Sequence, residues 1–235
     1  MPIGINKSRA GLGGQIPQYN LTGYSQLREK RLYKSRREVA LISDMNVKGG
    51  YGQLERGTVM AVSSDDATVL VPYVTDDPVT NASPGAVFLV ADTANASDEV
   101  RVALNESYMF QPGDAVILNS ATAAMLVREV DSVDRTGNVA VITLTAAVDD
   151  DYNIANDAYI FIRCGDDGDD YSLAACVLDS DIYTGVDEGN SNGALAPILL
   201  SNAMIYQDAV IGMDASARTD MGNVFAFGGI YWVLR

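Results

Sequence analysis

Residues 123–148 read AAMLVREVDSVDRTGNVAVITLTAAV, and this stretch decides the fold class. Two runs dense in Val, Leu, Ile and Thr flank Arg135-Thr136-Gly137-Asn138. Such runs around a tight reversal read as two strands of a hairpin. Just upstream, FQPGDAVIL (110–118) opens a strand behind a Pro112-Gly113-Asp114 turn, and downstream AYIFI (158–162) closes the unit.

The pattern continues outward. GTVMAV (57–62), TVLVPYV (68–74), AVFLVA (86–91) and EVRVAL (99–104) precede the unit, and YSLAACVL (171–178), LAPILL (195–200), AMIYQDAVI (203–211) and GGIYWVL (228–234) follow it. Short strands at this spacing, separated by Gly, Pro, Asp and Asn, predict a mainly β protein of the sandwich or small-barrel kind. One later segment, DASARTDMG (214–222), predicts a short helix. Strands do not alternate with helices, so a doubly wound or (β/α)-barrel architecture is not expected.

The 235 residues are 48% hydrophobic and 20% charged, enough to bury a core. The chain has no histidine, which excludes Ser-His-Asp and Cys-His triads and any His-ligated metal within it. Its two cysteines, Cys164 and Cys176, are too few for an iron–sulfur cluster and read as small apolar strand residues. No cofactor is expected. No run approaches the roughly 20 apolar residues of a membrane span, and no membrane partner is expected. The start, MPIGINKSRAGLGGQ, has no apolar core of a signal peptide, so synthesis in the cytoplasm is expected and the four Asn-x-Ser/Thr matches read as chance.

The net charge of −15 is a sum of unlike parts. Residues 1–60 hold ten basic and four acidic side chains, a net of +6, and residues 61–235 hold six basic and 27 acidic ones, a net of −21. No lysine follows Lys48. The first fifty residues are Gly-rich without a sustained apolar period, which predicts an extended basic arm over 1–50 that orders on a partner. Within it, Tyr24 to Glu38 has the length of a short helix without a clean apolar stripe. The basic run Arg28, Lys30, Arg31, Lys34, Arg36, Arg37, with Tyr33 among them, reads first as a protein-binding arm. A solvated tail and a nucleic-acid contact, with Tyr33 stacking on a base, are the other readings. The acidic body repels phosphate, so any nucleic-acid role is confined to the arm; with the protein-binding reading ranked first there, no nucleic-acid partner is expected.

Two blocks flank the central unit. The first is Leu54-Glu55-Arg56-Gly57-Thr58-Val59-Met60-Ala61-Val62 followed by Val71-Pro72-Tyr73. The second runs from Ala174 to Ile182 (AACVLDSDI), then Ala194 to Ile205 (ALAPILLSNAMI), then the short helix and Phe227-Gly228-Gly229-Ile230-Tyr231-Trp232. In this order they resemble the lambda-type head decoration proteins of tailed phages, with Arg56-Gly57-Thr58-Val59 the most distinctive piece. The central unit and the basic arm are departures from the minimal family pattern. The resemblance implies a non-enzymatic protein on the outer surface of an expanded capsid, bound to the major capsid protein and assembled as a homotrimer. It also implies a small barrel-like core with Arg56, Gly57, Thr58, Val59, Pro197 and Trp232 in core or oligomer contacts, and attachment through the arm.

The expected organisation is therefore an arm over 1–50, a decoration-type core from 51–75 and 166–235, and an inserted β domain over 76–165. The runner-up is a receptor- or glycan-binding β module with the insert as recognition head. Asp166-Asp167-Gly168-Asp169-Asp170 and Asp149-Asp150-Asp151 lack the spacing of a calcium loop and read as solvated acidic loops. No acid, base and nucleophile can be grouped, so no enzymatic activity is expected.

Overall fold

The computed structural model describes residues 33–35, 41–81, 83–164, 173–187, 193–201, 204–206, 209–223 and 231–233. The chain is mainly β, with one α-helix among these residues.

A closed five-stranded barrel is built from β2 (Leu41–Val47), β4 (Val59–Val62), β5 (Val69–Pro72), β12 (Ala174–Leu178) and β14 (Ala194–Ser201), in the order β12-β14-β2-β5-β4. β2 and β5 run parallel and the other neighbours antiparallel. Period-two alternation divides β4, β5, β12 and β14 between two cores. Met60, Leu70, Cys176, Leu178, Ala196 and Ile198 pack with Val47 and Leu54 in one cluster. Their neighbours Val59, Ala61, Val71, Val177 and Leu199 pack in another, together with the helix α1 (Ala215–Asn223) through Ala217 and Met221.

The second body is a six-stranded antiparallel sheet in the order β6-β11-β8-β9-β10-β7. It comprises β6 (Val87–Phe88), β7 (Glu99–Ala103), β8 (Ala115–Asn119), β9 (Leu126–Asp134), β10 (Val139–Leu144) and β11 (Tyr159–Ile162), all within residues 76–165. Its edges meet: Leu89 bridges Val102, and the Val90 N–H donates to the Arg101 carbonyl at 2.9 Å. The sheet therefore curls back to its own first strand, and β9 bends where the register slips at Leu144 opposite Val130. β11 and β8 up to Leu118 are continuously apolar because both faces are covered. Val116, Leu118, Ile160 and Ile162 face the main core, while Ile117, Tyr159 and Phe161 pack with Val74 on the other side.

The barrel and the sheet share a core. One continuous cluster joins Val59, Val71, Tyr73, Ala174 and Val177 to Val87, Val100, Val116, Ile142 and Ile160. At the seam, Gly50 has φ +93°, and a Cβ there would lie 2.2 Å from the backbone carbon of Tyr108. The residue must be glycine for two reasons at once.

Two small sheets complete the chain: a ribbon of β3 (Gln53–Leu54) and β13 (Ile182–Tyr183), and a three-stranded sheet in which β15 (Met204–Tyr206) lies between β1 (Tyr33–Ser35) and β16 (Tyr231–Val233).

The arm expected over 1–50 is corrected at its C-terminal end. Leu41–Val47 is a barrel strand, paired with β14 from Leu41 to Val47 and with β5 at Asn46 and Val47. Exposed Asp44 and Asn46 alternate with Met45 and Val47, which pack inward. That period-two signal is short, and the Gly-rich basic surroundings conceal it. The helix considered over Tyr24 to Glu38 is also corrected where it is described, since Tyr33–Ser35 is a strand paired antiparallel with β15.

Candidate functional site

The Arg56-Gly57-Thr58-Val59 segment stands where three strands converge. Gly57 adopts φ +97°, which turns the chain into β4. Its N–H donates to the Leu178 carbonyl, its carbonyl accepts from Ile211, and the Val59 N–H returns a bond to Ile211, each at 2.9 Å. The Thr58 carbonyl accepts from Leu178, and its hydroxyl donates to the Glu55 carbonyl at 2.7 Å. Arg56 closes the arrangement. Its guanidinium lies 2.6 Å from Asp179, with both side chains largely buried, and its N–H donates to Asp181 at 2.7 Å. The segment thus ties β4 to the end of β12 and to the approach to α1. These are structural tasks: the backbone groups of Gly57, Thr58 and Val59 and the Thr58 hydroxyl are used in holding chain to chain.

Pro197 lies in β14 opposite Asp44, and its carbonyl accepts from Asp179 at 2.9 Å. Trp232 lies in β16, parallel to Ile205 of β15. Of the arm residues, Tyr33 and Lys34 are in β1, whereas Arg28, Lys30, Arg31, Arg36 and Arg37 fall outside the described residues. So does the acidic run 166–170. Asp149, Asp150 and Asp151 do not converge on one point. Asp149 lies 3.4 Å from Arg128, Asp150 accepts from Asp151, and Asp151 accepts from Asn95. Among the described residues no group of three or more His, Cys, Asp or Glu is placed to hold a metal ion. Both cysteines are buried thiols, and burial pushes Cys176 up to about 12.

Three polar arrangements escaped the reading of the sequence. Asp214 caps α1, accepting from Ala217 at 2.7 Å, and also accepts the Tyr73 hydroxyl at 3.1 Å and the Asp76 N–H at 3.0 Å. Burial first, then the Asp214 and Asp76 charges, push the Tyr73 phenol well above its ordinary value. Arg135, in the hairpin turn, reaches back to the Ser107 and Phe110 carbonyls at 2.9 and 2.7 Å and lies over the Tyr108 ring, 4.9 Å from its centroid.

The third is the seam between barrel and sheet. Lys48, just past β2, places its ammonium 2.8 Å from Asp114, just before β8, with the side chains 18% and 10% exposed. The other Asp114 oxygen accepts the Gln111 N–H at 2.6 Å. Asp65, on the β4–β5 loop, accepts the N–H of Ala115 at 3.0 Å. These residues border a cleft of about 470 Å³, lined also by Asn46, Ser63 and Asp66. Burial pushes the Asp114 carboxyl up, against the opposing pull of Lys48 and the Gln111 N–H, and Asp65 adds to the push. The sequence held a partial signal: Pro112-Gly113-Asp114 reads as a turn, but its partner lies 66 residues away.

No protein-family model and no curated protein matches this chain. Among the described residues no helix is long and apolar enough to cross a membrane.

Proposed function

We propose that this chain is a non-enzymatic structural protein of a tailed-phage particle, bound to the outer surface of the expanded capsid through its basic N-terminal segment and acting there as cement. One observation carries the reading. The two sequence blocks that resemble the lambda-type decoration proteins, separated by about a hundred residues, supply β4, β5, β12 and β14 of a single closed barrel, with α1 packed on β12. The Arg56–Val59 segment that marks the resemblance sits at the junction of the same strands. The charge split adds a physical reason. A basic arm seeks an acidic shell surface while an acidic body repels its own copies. Repeated weak attachments in a trimer gain by avidity.

The test is binding of the purified chain to expanded capsids that lack it. Saturable binding in copy numbers set by lattice symmetry is expected, and no binding to such capsids refutes the proposal. Deleting residues 1–32, which leaves β1 and the barrel strands intact, is expected to abolish that binding while the body stays folded.

A second reading, recognition of a glycan by the inserted sheet, is favoured by one feature. Phe88, 38% exposed, presents its ring to solvent 5.8 Å from that of Tyr159, which is buried with Phe161, 5.9 Å away, and supports it from behind. A glycan array probed with the full chain and with Phe88→Ala separates it from the first reading.

A further inference from the structure

The Lys48–Asp114 contact has more parts than an ion pair needs. An ammonium and a carboxylate together contain the atoms of an amide and one water, so their joining needs no oxidant, reductant or cofactor. The geometry points to an intramolecular isopeptide bond between Lys48 Nζ and Asp114 Cγ, which covalently fastens the barrel to the inserted sheet.

Each role has a group in place. The nucleophile is 2.8 Å from one carboxyl oxygen, Oδ1, and so within reach of the carbon that bears it. The Gln111 N–H, 2.6 Å from Oδ2, points at the oxygen on which negative charge develops when the carbon becomes tetrahedral. Asp114 is held at both ends of its backbone, its N–H donating to Gln111 at 3.1 Å and its carbonyl accepting from Val130 at 2.9 Å. With its backbone fixed, the carboxyl is held towards the amine by the Gln111 N–H on Oδ2 and by Lys48 on Oδ1. Asp65, bonded to the next residue in the chain, supplies a carboxylate beside the pair to relay a proton.

The steps balance. A proton passes from the Lys48 ammonium to Oδ1 of Asp114, leaving a neutral amine and a carboxylic acid. The amine nitrogen attacks Cγ, forming the C–N bond and placing the negative charge on Oδ2. The bond from Cγ to Oδ1 then breaks, and the departing hydroxyl takes the second proton of the amine through Asp65. One amide remains, and one water leaves into the adjoining cleft. The push that burial gives the Asp114 carboxyl favours the protonated acid that the first step requires. Part-burial of both side chains disfavours the charged pair that competes with it.

The bond closes a loop from residue 48 to residue 114 that spans both bodies. Its formation follows folding, because the two residues meet only when the barrel is closed and the sheet is docked on it.

The test is the intact mass of the purified full chain, followed by mapping of its proteolytic peptides. A mass one water below that of the sequence is expected, with a branched peptide joining Lys48 to Asp114. Lys48→Arg is expected at full mass with no branched peptide, and Asp114→Asn is expected to lose ammonia in place of water. Asp65→Asn is expected to lower the joined fraction at a fixed time at least tenfold. A folded wild-type chain at full mass overturns the proposal, and so does loss of water without a peptide joining these two residues. Equal joining in Asp65→Asn removes Asp65 from the mechanism.

Discussion

The barrel and the inserted sheet use the same kinds of residue but are assembled by opposite routes. The sheet is continuous in the chain, from Val87 to Ile162, and its β8-β9-β10 portion consists of neighbours joined by short turns. The barrel joins residues 41–72 to residues 174–201 and includes a parallel pair, β2 with β5, that no hairpin can make. The sheet's pairing is dictated largely by local turns. The barrel's pairing depends on segments that meet only after long loops have closed, at an entropic cost that the shared core offsets.

The difference leads to an ordered set of expectations. The most severe test is to excise residues 76–165 and bridge the gap with a short Gly/Ser link. Val59, Ala61, Val71 and Tyr73, buried against the sheet, would then face water. Loss of any cooperative unfolding transition is expected by calorimetry; a sharp transition would mean that the barrel stands alone. Next is Gly50→Val at the seam, where both φ and space forbid a side chain. A loss of about 3–5 kcal/mol is expected in denaturant unfolding.

The two bodies also differ in their ion pairs. Arg56→Ala removes the partner of largely buried Asp179 in the barrel and is expected to cost about 3 kcal/mol. Arg101→Ala breaks the pair with Glu99 on the sheet, where both side chains are nearly half exposed, and is expected to change stability by less than about 1 kcal/mol. Similar losses for both would erase the contrast.

The smallest effect is with pH. Burial raises Cys176 in the barrel to about 12, and burial with the Asp149 and Asp150 charges raises Tyr152 beside the sheet to about 12. In the unfolded chain these groups ionise near their ordinary values, about 8.5 and 10. The folded state therefore binds their protons more tightly. Their contribution is complete below the unfolded values and declines as pH rises towards about 12. The melting temperature is expected to fall over that window, and Cys176→Ala is expected to flatten the part between about pH 8.5 and 10. An unchanged slope in that variant would assign the alkaline loss elsewhere.

Much of the fold was legible. EVRVAL alternates, and Val100 and Val102 are buried between exposed Glu99 and Arg101. DAVIL and AYIFI are continuous apolar runs, and both strands are covered on two faces. The Arg135 to Asn138 reversal and the 214–222 helix stand where the chain pattern put them, within a residue. LISDMNV was missed because four alternating positions among glycines and basic residues are a weak signal, and its partners are β14 and β5. Lys48 adds to the positive charge of the first fifty residues, although its ammonium belongs to the seam.

The sequence by itself determined the strand content, the separation of a basic segment from an acidic body, and the absence of histidine chemistry. These are properties of composition and of a period-two pattern, both of which are local. Only the tertiary structure decided that Leu41–Val47 closes a barrel, that Arg56 to Val59 binds three distant segments, and that Lys48 meets Asp114 beside a cleft. Alternation says which side of a strand is buried. It does not say against what, because that choice is made by register and loop closure between residues far apart in the chain.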